Sequence, residues 1–532
     1  MKKRTVLKIL RKAAVLSSVL LLACGCSAEK EQDTKEYNIE LTAWEDEDGL
    51  QHAFLPSFCE ESDVTVKTEN ETEIQYHQSS NVAALFINTE SGNMDAIHAD
   101  KEHKEDVEAI LYTADGEVDF TSTECTLKGR GNTTWDFFEK KPYQLKLDEK
   151  ADLLGMGEGK KWILLANAFD ETHMRNKLVY DLARENEFCY APECEYVDLF
   201  LNGEYRGLYL LAERVEFGDD RLNVSADEKY MCNVELASRW DTLDNAFLTE
   251  QGRAVEIREP DEPEEEDFTR IQSIAQQLED AIVSQKEDTS LNDVLDLDSW
   301  VYRYLIDEIM ANGDADIASS YYYYADGKYY AGPLWDYDNT MAVSTRNQNP
   351  DIFLARSGYN GGEHETPYYD GLCEQDEFYE RMTELYRTQM KPAIETLVKE
   401  YLPEKEELIA DAVAMNRIRW GTGLDEQNSL VKDAKGLGEY LEKRIAFLDT
   451  AWIDGEEYCT VQFEPYVIDM YATEDTCAGS YAVKKGERLS DLDMPLITET
   501  KDVVWVDSET GKVFDPDRII TENITLRILK NP

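Results

Sequence analysis

Residues 127–147 read LKGRGNTTWDFFEKKPYQLKL and residues 312–339 read NGDADIASSYYYYADGKYYAGPLWDYDN, and these two stretches decide how the chain is read. The first gathers Lys128, Arg130, Lys140, Lys141 and Lys146 against Asp136 and Glu139, in a chain with 111 acidic residues and 54 Lys and Arg. Such a cationic island is a seat for a polyanion. The second sets Asp314 at one end of an expected hairpin, which turns at Asp326-Gly327, and Asp336 and Asp338 at the other. Cations for phosphate oxygens and carboxylates for a divalent metal are the two halves of an ATP-handling site, so phosphoryl transfer is the first expectation.

At the cationic end, Gly129 and Gly131 permit close backbone approach, and Lys128 and Arg130 alternate along a strand and so share one face. Lys146 stands alone between Leu145 and Leu147. Contact with phosphates would explain it, and so would an outward-facing position on a half-exposed strand. No GxxxxGK phosphate loop is present.

Several blocks resemble, in order, those of the spore coat protein H (CotH) kinase family: LKGRGNTTW, KKPYQLKL, LLGM followed by KKWILLANAFDETHMRN, YVDLFLNGEYRGLYLLAE, NGD, GPLWDYDN and YLEKRIAFLDTAW. The resemblance implies an α+β chain with an atypical bilobal protein-kinase-like fold, ATP and Mg²⁺ or Mn²⁺ as cofactors, and a serine or threonine of a cell-surface or spore-coat protein as acceptor. It makes Asp314 the base or orienting group for the acceptor hydroxyl, with Asp316 as rival. Asp336 becomes the metal ligand, with Asp338 a second ligand or its substitute. Lys128, Arg130 and Lys146 would meet phosphates. Glu213, closing YLLAE, would lie in the segment joining the lobes, whose backbone meets adenine. Arg175 and Asn176, at a helix start, would be structural. One position departs from the pattern: protein kinases place a metal-binding asparagine five residues beyond the catalytic aspartate, and here Ser319 stands there. That departure keeps open a reading from another class, a kinase-fold scaffold or binding lipoprotein without turnover.

Outward from these blocks, residues 1–23 combine a basic start with a short apolar run, an export signal, and LLACGCS resembles a lipobox with Cys24 as the acylated residue and Cys26 as the alternative. Residues 24–36 read as a tether, 37–80 as a small β region, 81–452 as the kinase-like domain, and 458–532 as a β module resembling the β-grasp repeats of internalin-type surface proteins. No other run of eighteen apolar residues occurs, so the expected location is extracytoplasmic, anchored to the membrane by lipid alone. A formal net charge of −57 argues against nucleic acid as a partner. Export permits disulfides; Cys189 with Cys194 and Cys459 with Cys477 are near enough, with free buried thiols as the alternative. ETHMRNKLVYDLARENE, from Glu171 to Glu187, has helical spacing, and Asn202-Gly203 marks a hairpin.

Overall fold

The computed structural model describes residues 37–68, 73–283, 290–343, 347–357, 368–421, 431–464, 479–492 and 503–530. The export signal, the tether, Cys24, Cys26 and Cys477 lie outside the described residues. Among the described residues no helix is long and apolar enough to cross a membrane.

A small sheet of Trp44–Glu45, Gln51–Leu55 and Ile74–Gln78 precedes the main body. Seven strands follow: β1 Ala83–Thr89, β2 Glu105–Tyr112, β3 Val118–Gly129, β4 Tyr143–Asp152, β5 Glu158–Leu165, β6 Cys194–Leu201 and β7 Glu204–Glu213. They pair in the order β5-β4-β3-β2-β1-β6-β7, and β5 also pairs with β7, Trp162 opposite Glu213 and Leu165 opposite Leu210. That pairing closes a seven-stranded barrel. Alternate residues fill its interior, among them Leu85, Ala109, Leu127, Leu145, Trp162, Leu199 and Leu211. The sequence pattern gives the strands and the hairpin at Asn202-Gly203, where positive φ at both residues fits a type I′ turn. Closure of the ring is a long-range pairing that no local pattern announces.

Between β5 and β6 lies helix α1, Arg175–Glu185. It begins four residues later than the helical spacing predicts, because Asp170 folds the preceding residues into a turn. One carboxylate oxygen accepts the Thr172 N–H at 2.9 Å and the other the Arg175 N–H at 2.8 Å. The α1 face carrying Leu178, Val179 and Leu182 joins a second, larger core, together with Ile163, Leu208 and Leu210 on the outer face of the barrel.

That second core also covers a five-stranded sheet of β8 Lys229–Glu235, β9 Ala246–Leu248, β10 Ala254–Glu259, β11 Ser320–Ala325 and β12 Lys328–Ala331, in the order β9-β10-β8-β11-β12. Helices α2 Glu265–Val283 and α3 Leu297–Ile309 stand between β10 and β11 in the chain. A helical run starts at Asp376, passes two π-turns and continues as α4 Leu402–Trp420, and α5 Ala434–Trp452 follows. Buried Arg444 on α5 pairs with buried Glu308 on α3 at 3.0 Å. The C-terminal strands β13 Tyr458–Glu464, β14 Gly479–Lys484, β15 Val503–Asp507 and β16 Ile524–Lys530 make a four-stranded sheet over its own core of Val461, Phe463 and Leu526. Cys189 and Cys194 are free thiols, as are Cys59, Cys125, Cys232, Cys373 and Cys459, so the shorter disulfide spacing is not used.

Candidate functional site

After β12 the chain runs through buried Leu334 and Trp335 into Asp336, Tyr337 and Asp338, and helix α1 holds this segment by its backbone. The Tyr337 N–H donates to Asn176 Oδ1 at 2.7 Å and the Asp336 N–H to the Tyr180 hydroxyl at 3.2 Å. Arg175 reaches further along, donating to the carbonyls of Thr340 at 2.8 Å and Met341 at 2.9 Å. From the other side the Tyr337 hydroxyl donates to Asp307 Oδ1 at 2.6 Å, an oxygen that Asn312 Nδ2 also approaches at 3.0 Å. Arg175 and Asn176, expected to be structural residues, are therefore the ones that fix the two aspartates in place.

Asp336 opens to solvent, whereas Asp338 is 9 % exposed. Protein crowding around Asp336 pushes its carboxyl above the usual range, opposed by the Arg130 guanidinium and a hydrogen bond from Ser319. Burial pushes Asp338 well above it, and the charges of Asp336 and Asp170 push it further. Two carboxylates, one of which raises the other, beside one hydroxyl, make an oxygen-rich spot where a cation would be welcome.

Ser319, Asp314 and Asp316 share the loop between α3 and β11. Ser319, at the position where the family pattern predicts an amide, turns its hydroxyl to Asp336. Asp314 is half-buried; its N–H donates to Asn312 Oδ1 at 3.2 Å and its carbonyl accepts from Ala318 at 2.9 Å. Asp316 is 5 % exposed and paired with Arg253 at 3.1 Å, and its carboxylate also accepts the Tyr368 N–H. Asp316 thus has a structural employment, as the charge partner of buried Arg253.

At the cationic end the expected partners separate. Arg130 follows the last residue of β3 and lies over the Trp335 ring, 5.1 Å from its centroid and next to Asp336. Lys128 instead pairs with Glu102 at 2.6 Å. Lys146 is exposed on the outer barrel face, in register between Thr126 and Lys161, with Leu145 and Leu147 turned inward. Alternation alone accounts for a lysine among leucines there, so its setting carries no signal of a ligand. Lys140 is buried and donates to the Leu208 carbonyl at 2.6 Å; Lys141 reaches the Trp135 carbonyl. Glu213 is 1 % exposed, paired with Arg221 at 2.8 Å, and accepts from the Tyr190 hydroxyl at 2.9 Å. Burial pushes its carboxyl up to about 7 despite Arg221, and its side chain is locked away from any ligand.

The sequence reading missed a third wall. Glu256 on β10, Asn233 on β8 and Tyr321 on β11 lie side by side in register, and Glu235 and Arg258 share their face by alternation. This face is polar yet largely buried: Asn233 is 4 % exposed, and Glu235 and Glu256 are each 8 % exposed. Asn233 Nδ2 donates to Glu235 at 2.8 Å, and Arg258 pairs with Glu256 at 2.8 Å. The charge of Asp336 reaches Glu235, which burial pushes up to about 7, and Arg258 lies within electrostatic range of Arg130. The alternation in NVEL and AVEIRE was the available signal, but an alternating strand ordinarily turns its polar side to water.

Among the described residues no three or more His, Cys, Asp or Glu side chains gather as a metal cage. Asp336, Asp338 and Ser319 suit an ion that takes two carboxylates and completes its shell with phosphate oxygens and water, as Mg²⁺ does. Arg130 and Arg258 suit the phosphates themselves. A family model described as CotH kinase protein matches residues 127–448, which spans both Arg130 and the Asp336–Asp338 segment. No curated protein matches the chain.

Proposed function

The chain belongs to the CotH kinase protein family, and from that membership we propose that it transfers the γ-phosphoryl group of ATP to a serine or threonine of a surface or coat protein. In this reading the barrel and the helix-rich remainder are the two lobes of an atypical protein-kinase-like fold. One observation carries it above the others: Arg130, from the cationic stretch, and Asp336, from the acidic one, lie together although they are more than two hundred positions apart in the chain.

Within the site, Asp336 and Asp338 would hold a divalent ion, Mg²⁺ or Mn²⁺, with the Ser319 hydroxyl beside them. The bound ion supplies neutralisation of phosphate charge. Arg130 adds a second positive charge from the barrel, and Asn176, Tyr180 and Arg175 keep the aspartates from moving as charge shifts. Asp314 is the group assigned to the acceptor hydroxyl, orienting it and taking its proton. Incubating residues 37–532 with labelled ATP, either metal and generic protein acceptors tests the reading. Label should appear on serine or threonine. Nucleotide binding without transfer under every metal and acceptor would favour the second reading, a kinase-fold scaffold, which Ser319 in place of an amide ligand supports.

We place the protein outside the cytoplasm, held to the membrane by a lipid on Cys24. Its net charge of −57 disfavours nucleic acid and anionic head groups. Mass spectrometry of the mature N-terminus decides the point: an unmodified chain, or one starting at Cys26, would overturn the assignment.

A further inference from the structure

Helix α3 ends in a turn that brings both limbs of the site to one place. Ala311 takes a positive φ of 51°, its N–H donates to the Glu308 carbonyl at 3.1 Å, and the Asn312 N–H donates to the Asp307 carbonyl at 2.9 Å. This is the left-handed helix stop in which glycine is usual, made here by a buried alanine. It folds Asn312 back over the last turn of the helix. Asp307 is therefore held twice by one residue, at its carbonyl by the Asn312 backbone and at its carboxylate Oδ1 by Asn312 Nδ2, 3.0 Å away.

Asp307 is wholly buried, and a carboxylate in the last turn of a helix faces the negative end of the helix dipole. Burial and dipole both count against it, and four donors offset them. Oδ1 accepts from the Tyr337 hydroxyl at 2.6 Å and from Asn312, while Oδ2 accepts from Arg303 Nε at 2.7 Å and from the Tyr369 hydroxyl at 2.9 Å. The Oδ2 side is ordinary compensation for a buried charge, a guanidinium one turn back on α3 and a tyrosine from the short helix Tyr368–Cys373. The Oδ1 side differs, because its two donors come from the two limbs of the site.

One limb runs through Tyr337, whose neighbours in the chain are Asp336 and Asp338. The other runs through Asn312, whose Oδ1 accepts the Asp314 N–H at 3.2 Å. A backbone bond ties the same end of α3 to the aspartate segment, since the Met341 N–H donates to the Met310 carbonyl at 2.9 Å. With the site read as one for phosphoryl transfer, we propose that Asp307 is its positioning residue: it touches neither nucleotide nor acceptor, and through a single oxygen it fixes the metal-binding aspartates relative to Asp314.

What the joint controls is alignment. Transfer requires the acceptor oxygen about 3–3.5 Å from the atom it attacks, and a displacement of about 1 Å costs about a hundredfold in rate. The metal limb sets where the phosphate lies and the Asp314 limb sets where the hydroxyl lies, so the separation of the limbs decides whether the two meet. Hydrogen bonds to an ionised oxygen are shorter and stronger than neutral ones, which makes Oδ1 a stiffer joint than an amide oxygen in the same place.

The test compares two substitutions in the full chain. Tyr337→Phe keeps the ring in the core and takes only the hydroxyl from Oδ1; Tyr369→Phe does the same at Oδ2, where Arg303 still holds the oxygen. The two should lower overall stability alike, so a carboxylate with only a packing role responds to both in the same way. Hydrogen exchange at the Asp314 amide, whose bond runs to Asn312 and to neither tyrosine, should quicken about tenfold relative to global opening in Tyr337→Phe and stay unchanged in Tyr369→Phe. Mn²⁺–ATP affinity by calorimetry should likewise fall about tenfold in Tyr337→Phe alone, with a drop in kcat and an unchanged KM for the acceptor. An Asp314 amide that responds equally to both substitutions, or to neither, would overturn the proposal. Failure of the unsubstituted protein to bind Mn²⁺–ATP would defeat the kinase reading instead, and the exchange comparison would still decide whether Asp307 joins the limbs.

Discussion

The guanidinium of Arg130 lies 5.1 Å from the ring centroid of Trp335, the residue that leads into Asp336. The ring anchors the arginine, and the arginine pulls the pKa of the Asp336 carboxyl back down against the rise that crowding imposes. The two ends of the site are therefore joined by an aromatic and a charge contact. Arg130→Ala should weaken Mg²⁺–ATP binding about tenfold by calorimetry, and Arg130→Lys should recover only part of it, because an ammonium lacks the planar face that stacks on indole.

Asp336→Ala should remove metal-dependent nucleotide binding and leave stability within about 0.5 kcal/mol, since the side chain is exposed. Calorimetry with and without Mg²⁺, paired with a urea melt, measures both. Unchanged affinity would mean that Asp338 alone holds the ion.

Asp314 and Asp316 should part under the same substitution. Asp314→Asn should lower turnover with ATP affinity retained, because its carboxylate is assigned to the acceptor. Asp316→Asn should instead cost about 3 kcal/mol of stability, because it strips the charge partner from buried Arg253. Loss of turnover in a fully stable Asp316→Asn protein would reverse the assignment.

Arg175 is wholly buried and paired with Asp170 while it donates to the carbonyls of Thr340 and Met341. Arg175→Met should destabilise the protein by about 3–5 kcal/mol by leaving those acceptors and Asp170 without a partner. Hydrogen exchange should rise first at residues 337–341.

Stability should fall as pH rises from about 4 to about 7. Burial pushes the Asp198 carboxyl up to about 7 although Ser79 and Tyr205 donate to it at 2.5 and 3.0 Å. Glu213 and Glu235 are raised to about 7 as well. A carboxyl raised on folding stabilises fully below its unfolded value, about 4, and loses that contribution as pH climbs through its folded value. Urea unfolding at several pH values should show this slope, and Asp198→Asn should flatten it.

The strand alternation, the Asn202-Gly203 turn and the apolar run into Asp336 were all legible because each is a local pattern. Lys146 misled for the same reason: a lysine between two leucines looks conspicuous in one strand, and only the inward and outward faces of a closed barrel show it to be ordinary. Arg130 and Lys128 were read as a pair by strand parity, yet β3 ends between them at Gly129, and the chain then turns Arg130 toward Trp335. The wall of Asn233, Glu235 and Glu256 was hidden because a polar strand face reads as solvated until something else is seen to cover it. Asp316 could not be told from Asp314, since its partner Arg253 is 63 positions away.

Arg175 also sets a clock. Besides Asp170 and the Thr340–Met341 carbonyls, it donates to the Val431 carbonyl at 3.3 Å, a partner 256 positions further along the chain. Its contacts cannot all exist until the polypeptide through residue 431 is available, and contacts this distant form late. The aspartate segment is therefore clamped only after the barrel strands and α4 have been made, and the two halves of the site come together late in folding.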